Sequence, residues 1–171
     1  MKNKIINEII QKEGCYVNDP CDSGGETNFG ITKEVARANG YTGWMIRMPR
    51  SVAFSIYSKR YWDAVKGDDL LILSEAIAAE VVDTSVNMGA KRAGKFLQRS
   101  LNVLTKCNLT VDGAIGPATL NALRVYLDVR DEDTLVKALN CLQGAYYIEL
   151  AENRPKDKKF IYGWLKNRVN L

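Results

Sequence analysis

Apolar residues recur at helical spacing along most of the chain, with two interruptions. From Lys2 to Glu13, Ile5, Ile6, Ile9 and Ile10 share one face, and Gly14 follows where a helix would stop. An amphipathic helix is predicted there. The pattern breaks over residues 14–31, where Asn18-Asp19-Pro20 and Asp22-Ser23-Gly24-Gly25 are strong turn signals flanked by Tyr16-Val17 and Phe29-Gly30-Ile31. These predict a loop with a short hairpin. Thr32 is placed to cap a short helix ending at Asn39-Gly40, and beyond a connector around Pro49, Val52, Phe54, Ile56 and Tyr57 lead a helical stretch to Trp62. Ser74 opens a helix ending near Gly89, and the next, from about Lys91 to Leu104, turns Phe96, Leu97, Leu101 and Leu104 inward. The second interruption, residues 105–117, contains Val111-Asp112-Gly113-Ala114-Ile115-Gly116-Pro117, with Pro117 as the first residue of a new helix. Helices around 117–127, 132–152 and 156–168 complete a mainly α chain with one small β-hairpin near its N-terminus. Internal repeats, low-complexity tracts and long linkers are absent, and a subdivision is expected only near 105–115.

Composition narrows the chemistry. A chain of 171 residues with 46% apolar and 26% charged residues can bury a core, and this is ordinary globular composition. The four cysteines, Cys15, Cys21, Cys107 and Cys141, lack paired CxxC spacing, and there are no histidines at all. Ser-His-Asp and Cys-His hydrolases and histidine-ligated zinc enzymes are thereby excluded. Carboxylate chemistry or simple binding survives, with no metal or organic cofactor expected. The net charge of +4 suits an anionic surface without naming one. It gathers late, where Arg154, Lys156, Lys158, Lys159, Lys166 and Arg168 face only Asp157, and this is either a solvated tail or a contact for an anionic polymer.

Among the carboxylates Glu13 stands out. It follows Ile10 by three residues and Ile9 by four, so it lies at the edge of the buried stripe. Burial and the negative end of the helix dipole both oppose its ionisation, which is what a general acid needs to keep its proton near neutral pH. A glutamate snorkelling from a helix end is the alternative. Asp22 follows nine residues later and Thr27 five further, with a glycine-rich turn between them. If the hairpin folds back, both face Glu13 across a cleft, Asp22 orienting water or stabilising positive charge and Thr27 holding the water. An inverting glycosidase keeps its carboxyl groups roughly 6.5 to 9.5 Å apart for that purpose.

The segments Glu13-Gly14-Cys15-Tyr16-Val17-Asn18-Asp19-Pro20 and Gly24-Gly25-Glu26-Thr27-Asn28-Phe29-Gly30-Ile31-Thr32 resemble glycoside hydrolase family 108. The resemblance continues through Ala38-Asn39-Gly40-Tyr41, Ile56-Tyr57, Tyr61-Trp62, Asp83-Thr84-Ser85-Val86-Asn87-Met88-Gly89, Leu97-Gln98 and Asp112-Gly113-Ala114-Ile115-Gly116-Pro117-Ala118-Thr119. It covers virtually the whole chain. It implies an N-acetylmuramidase with a lysozyme-like helical fold, a catalytic region over 1–104 and a peptidoglycan-binding region over 105–171, packed as one compact unit. Glu13 is implied as the catalytic acid. The order Glu13, Asp22, Thr27 is also similar to the triad of small phage lysozymes, with a slightly different threonine spacing. Cys15 departs from the family, which usually has a second glycine there. Cys15 and Cys21 flank the expected site either as free thiols or as a disulfide formed outside the cytosol, and oxidation would then tune the loop.

Asp83 and Asn87, spaced i, i+4, and Gln98 are candidates to line the sugar groove, or else belong to the fold's own hydrogen bonding. Tyr41, Trp44, Tyr57, Tyr61 and Trp62 are either stacking platforms or core. No signal peptide or membrane span is evident, so cytosolic synthesis and release to the wall through a holin-like pore are expected, as in a phage or prophage endolysin. The expected partner is peptidoglycan rather than nucleic acid, and the expected state is a monomer without stable membrane insertion. A lytic transglycosylase and a non-catalytic wall-binding module are the competing readings.

Overall fold

The computed structural model describes residues 1–18 and 25–169. Among them the chain is mainly helical with one two-stranded antiparallel sheet, as the pattern predicts. It divides into two compact units, Met1–Ala64 and Val65–Leu171. The segment 105–117 lies inside the second unit.

In the first unit, α1 (Lys2–Lys12) buries Ile5, Ile6, Ile9 and Ile10 and packs on α3 (Arg50–Tyr57). Gly14 takes φ +86°, the left-handed conformation that ends a helix and favours glycine. Strands β1 (Thr27–Asn28) and β2 (Ile31–Thr32) pair Thr27 with Thr32 and Asn28 with Ile31. Phe29 (φ 52°) and Gly30 (φ 70°) are left as the two-residue turn. Two positive φ angles suit the right-handed twist of a tight hairpin. Sequence reasoning treats Phe29 as part of a flanking apolar run, because a phenylalanine is not a turn residue. In the fold it occupies the turn itself, and the expected partner segment Tyr16-Val17 contributes one bridge, Val17 to Thr27. Thr32 caps α2 (Lys33–Ala38) by accepting from the Val35 N–H at 3.2 Å.

The stretch expected as one helix to Trp62 is α-helical to Tyr57 and π-helical over Ser58–Trp62. Tyr57 and Trp62 are both buried. In an α-helix residues five apart point about 140° away from each other, and the wider turn brings them to one side.

The second unit is built around α5 (Glu75–Met88), which packs on α4 (Gly67–Leu73), α6 (Ala90–Leu104) and α8 (Glu132–Asn153). Ser74 caps α5 through the Ile77 N–H, and Asp131 caps α8 through the Thr134 N–H at 2.8 Å. Helix α4 has no counterpart in the sequence reading: its Asp68-Asp69-Leu70-Leu71-Ile72-Leu73 run is too short to display a period. Helices α7 (Pro117–Leu127) and α9 (Lys158–Arg168) complete the unit. Among the described residues no helix is long and apolar enough to cross a membrane.

Candidate active site

Glu13 caps the C-terminus of α1, its N–H donating to Ile9 O at 3.1 Å, and its side chain is half-buried. The isoleucine stripe thus fixes the carboxylate from below. From the other side comes the hairpin turn. A Cβ built on Gly30 would stand 2.9 Å from both Cβ and Oε2 of Glu13 and 3.0 Å from the Tyr57 hydroxyl. A side chain there would collide with the carboxylate, so the absence of one lets the turn close on Glu13. The Tyr57 hydroxyl donates to Phe29 O at 2.9 Å, which holds the strained Phe29 in place. Asn28, buried, donates to Met45 O at 2.7 Å and anchors the strand behind the turn.

Thr27, in β1 ahead of this turn, is half-buried, with its backbone N–H and C=O both paired to Val17 at 2.9 Å. Next to it, Glu26 accepts from the Tyr16 hydroxyl at 3.0 Å and pairs with Lys33 at 3.1 Å. The hydrogen bond from Lys33, aided by those from Tyr16 and by the charge of Arg37, outweighs desolvation and holds the Glu26 carboxyl below its ordinary range. Burial, then the hydrogen bond to Glu26, pushes the Tyr16 phenol up. These contacts tie the chain leaving α1 to the hairpin that returns to it. Asp22, the expected second carboxylate, and Cys21, the expected partner of Cys15, lie outside the described residues; Cys15 itself is an exposed free thiol.

The remaining candidates belong to the second unit. On α5, the Asn87 amide donates to Asp83 O at 2.9 Å and to Asp83 Oδ2 at 2.8 Å. Gln98 is buried under the 112–119 loop: its nitrogen donates to Asp112 Oδ1, Ala114 O and Thr119 Oγ1, and its oxygen accepts from the Gly113 N–H. This amide holds the loop from inside. Of the aromatics, Tyr57 and Trp62 are buried and Tyr41 and Tyr61 half-buried, whereas Trp44 is 78% exposed. Trp44 borders a cleft of about 390 Å³ with Glu26, Lys33 and Arg37. Among the described residues no cluster of His, Cys, Asp or Glu is fit to hold a metal ion.

Sequence reasoning missed the part played by Gly30 and Tyr57. A glycine directly after an aromatic, between two short β-prone pairs, was the available signal for a turn. Nothing in the spacing shows that the turn meets Glu13.

A half-buried glutamate at a helix end, closed over by a hairpin, stands in a mainly α, lysozyme-like fold, an arrangement open to carboxylate chemistry. Residues 6–89 match the family model of glycosyl hydrolase 108, and residues 92–169 match that of a predicted peptidoglycan domain. Residues 6–89 thus belong to glycosyl hydrolase family 108, and the predicted peptidoglycan domain follows them in the sequence. The protein is a glycoside hydrolase acting on peptidoglycan. Among solved structures it is similar to that of Brucella abortus SagA, at 27% identity and a TM-score of 0.75, over 96% of this chain and 87% of that one. No curated protein sequence matches it.

Proposed function

We propose that the protein is an N-acetylmuramidase that hydrolyses the β-1,4 bond between N-acetylmuramic acid and N-acetylglucosamine. The observation that carries this reading is the closure of the Phe29-Gly30 turn on the Glu13 carboxylate, within the residues matched to the glycosyl hydrolase family. Glu13 protonates the leaving glycosidic oxygen as the bond breaks. The sugar acquires oxocarbenium character, and water adds to its anomeric carbon. Asp22 orients that water or offsets the positive charge, and Thr27 holds it. Asp83 and Asn87 contribute to recognition, and Gln98 acts through the loop it holds. No metal or organic cofactor enters. The biological setting that fits is a phage or prophage endolysin, made in the cytoplasm and released to the wall by a holin, acting as a monomer and binding no nucleic acid.

The test is digestion of purified peptidoglycan by the parent and by Glu13→Gln, with the new sugar ends identified by mass spectrometry. Reducing muramic ends from the parent, lost in the variant, are expected. Anhydro-muramic ends would assign a transglycosylase instead. Undiminished cleavage by Glu13→Gln would remove Glu13 from the chemistry.

A further inference from the structure

Trp44 leaves 78% of its surface in water, yet the backbone beneath it is fixed from both sides. On one side Arg37 donates to Tyr41 O and to Gly43 O, and the Tyr41 hydroxyl donates to Trp44 O at 2.9 Å. A Cβ on Gly43 would stand 2.6 Å from that hydroxyl, so the missing side chain lets the Tyr41 ring fold against the loop. On the other side Met45 is buried, and its carbonyl accepts from Asn28 of β1 at 2.7 Å. An indole is a large apolar group that gains by being covered, and here a braced loop holds one out to solvent. The cleft it borders, of about 390 Å³, falls within the ~300–1,000 Å³ typical of ligand pockets, and Glu26, Lys33, Arg37 and Thr42 line it. Glu26 precedes Gly30 by four residues, so at most about 14 Å of chain separates this wall from the turn that closes on Glu13.

We propose that Trp44 and its cleft form a glycan subsite of the hydrolase unit, where the indole stacks on an N-acetylglucosamine ring of the strand, away from the bond that is cut. The proposal rests on the reading of the glycan strand as substrate. The C–H face of a pyranose carries small positive charges and matches the negative face of an aromatic ring. Its hydroxyls both donate and accept, and the wall supplies both kinds of partner: the Glu26 carboxylate accepts, whereas Lys33 and Arg37 only donate. Charge is largely compensated there. Glu26 and Lys33 pair at 3.1 Å, and Arg37 is engaged by two carbonyls, so the wall offers hydrogen bonds more than net charge. That favours a neutral, hydroxyl-rich ligand over an anionic peptide stem. An apolar surface laid on the same cleft would desolvate these groups without replacing their hydrogen bonds. Of the two sugars in the strand, N-acetylglucosamine bears no lactyl peptide, so its ring face can lie flat on the indole.

The probe is the N-acetylglucosamine tetrasaccharide, titrated into the full chain and followed by NMR of the tryptophan indole N–H signals, with N-acetyl-L-alanyl-D-glutamate as the peptide comparison. Saturable shifts of the Trp44 signal are expected from the saccharide and none from the peptide, with the buried Trp62 signal in place. By calorimetry Trp44→Ala should weaken saccharide binding about tenfold, and Trp44→Phe, which keeps a ring, should recover part of the loss. Equal urea midpoints of parent and variants, expected for an exposed side chain, exclude misfolding as the cause. On glycan strands of graded length, Trp44→Ala should raise KM more than it lowers kcat, by a factor that grows with length, because only longer strands reach the cleft. A Trp44 signal unmoved by the saccharide, one moved equally by the peptide, or a KM penalty independent of length would overturn the proposal. Binding is read without bond cleavage, so failure of the Glu13 assignment, seen as cleavage by Glu13→Gln, is distinguished from failure of the subsite.

Discussion

Gly30→Ala tests the closure of the hairpin on Glu13. Two penalties meet at this position. The backbone stands at φ +70°, where exchanging glycine for an L-residue costs about 1 to 2 kcal/mol. The added methyl would also lie 2.9 Å from Glu13 Cβ and Oε2, closer than real Cβ contacts come, so something must move. Helix α1 is held by four buried isoleucines and Tyr57 is buried, which leaves the turn or the glutamate rotamer to give way. Overpacking of this kind costs a further ~1 to 3 kcal/mol. A loss of roughly 2 to 4 kcal/mol is therefore expected, together with a displaced carboxylate. A misplacement near 1 Å lowers a rate by about 100-fold. Gly40→Ala is the matched control: φ is +85° there, yet nothing lies within 4 Å of the new methyl. It should show the strain alone, with activity intact. Urea unfolding gives the stability of each variant, and release of reducing ends from peptidoglycan gives the rate at temperatures where both are folded. If Gly30→Ala matched Gly40→Ala in both measurements, the carboxylate would not depend on the turn.

The other expectations concern the supports of the same two regions. Tyr57→Phe removes the hydroxyl that donates to Phe29 O; urea unfolding should show a loss of about 0.5 to 1.5 kcal/mol, and kcat should fall more than KM changes. Gly94→Ala places a methyl 2.1 Å from the Gly113 carbonyl oxygen, where backbone meets backbone and neither can rotate away, so an unfolding midpoint well below the parent's is expected. The Asp112 carboxyl is held below its ordinary range, first by the Gln98 amide and then by the Ala114 N–H. The folded state thus binds fewer protons than the unfolded one. This contribution is present above the ordinary aspartate pKa and is lost as pH falls through the depressed folded value. Urea midpoints followed from pH 5 downwards should decline less steeply in Asp112→Asn than in the parent.

Much of the helical framework was legible because each long helix displays its burial as a period. The four isoleucines of α1 announce it, Ser74 and Thr32 announce starts through their side-chain caps, and Pro117 marks the first turn of α7. Features set by tertiary contact were not. The π-turn over Ser58–Trp62 exists because two large aromatics five residues apart share one core, and α4 is too short to carry a pattern. Phe29 adopts a left-handed conformation that local preference disfavours, and it holds that conformation through a hydrogen bond from Tyr57, 28 residues away. No local rule reaches that far.

The same distinction separates two glycines that look alike in the sequence. Gly14 and Gly30 each follow a bulky residue and each has positive φ, but a methyl on Gly14 meets nothing within 4 Å while one on Gly30 meets Glu13 and Tyr57. The first is a helix stop, a role written locally in the isoleucine pattern that ends before it. The second is a clearance for a carboxylate, and its reason lies on two other elements. Glu13 was accessible to sequence reasoning because its own helix betrays its half-buried place. The residues that press on it had to be found in space, since the physical constraint on Gly30 is the volume of Glu13 and not any property of the turn.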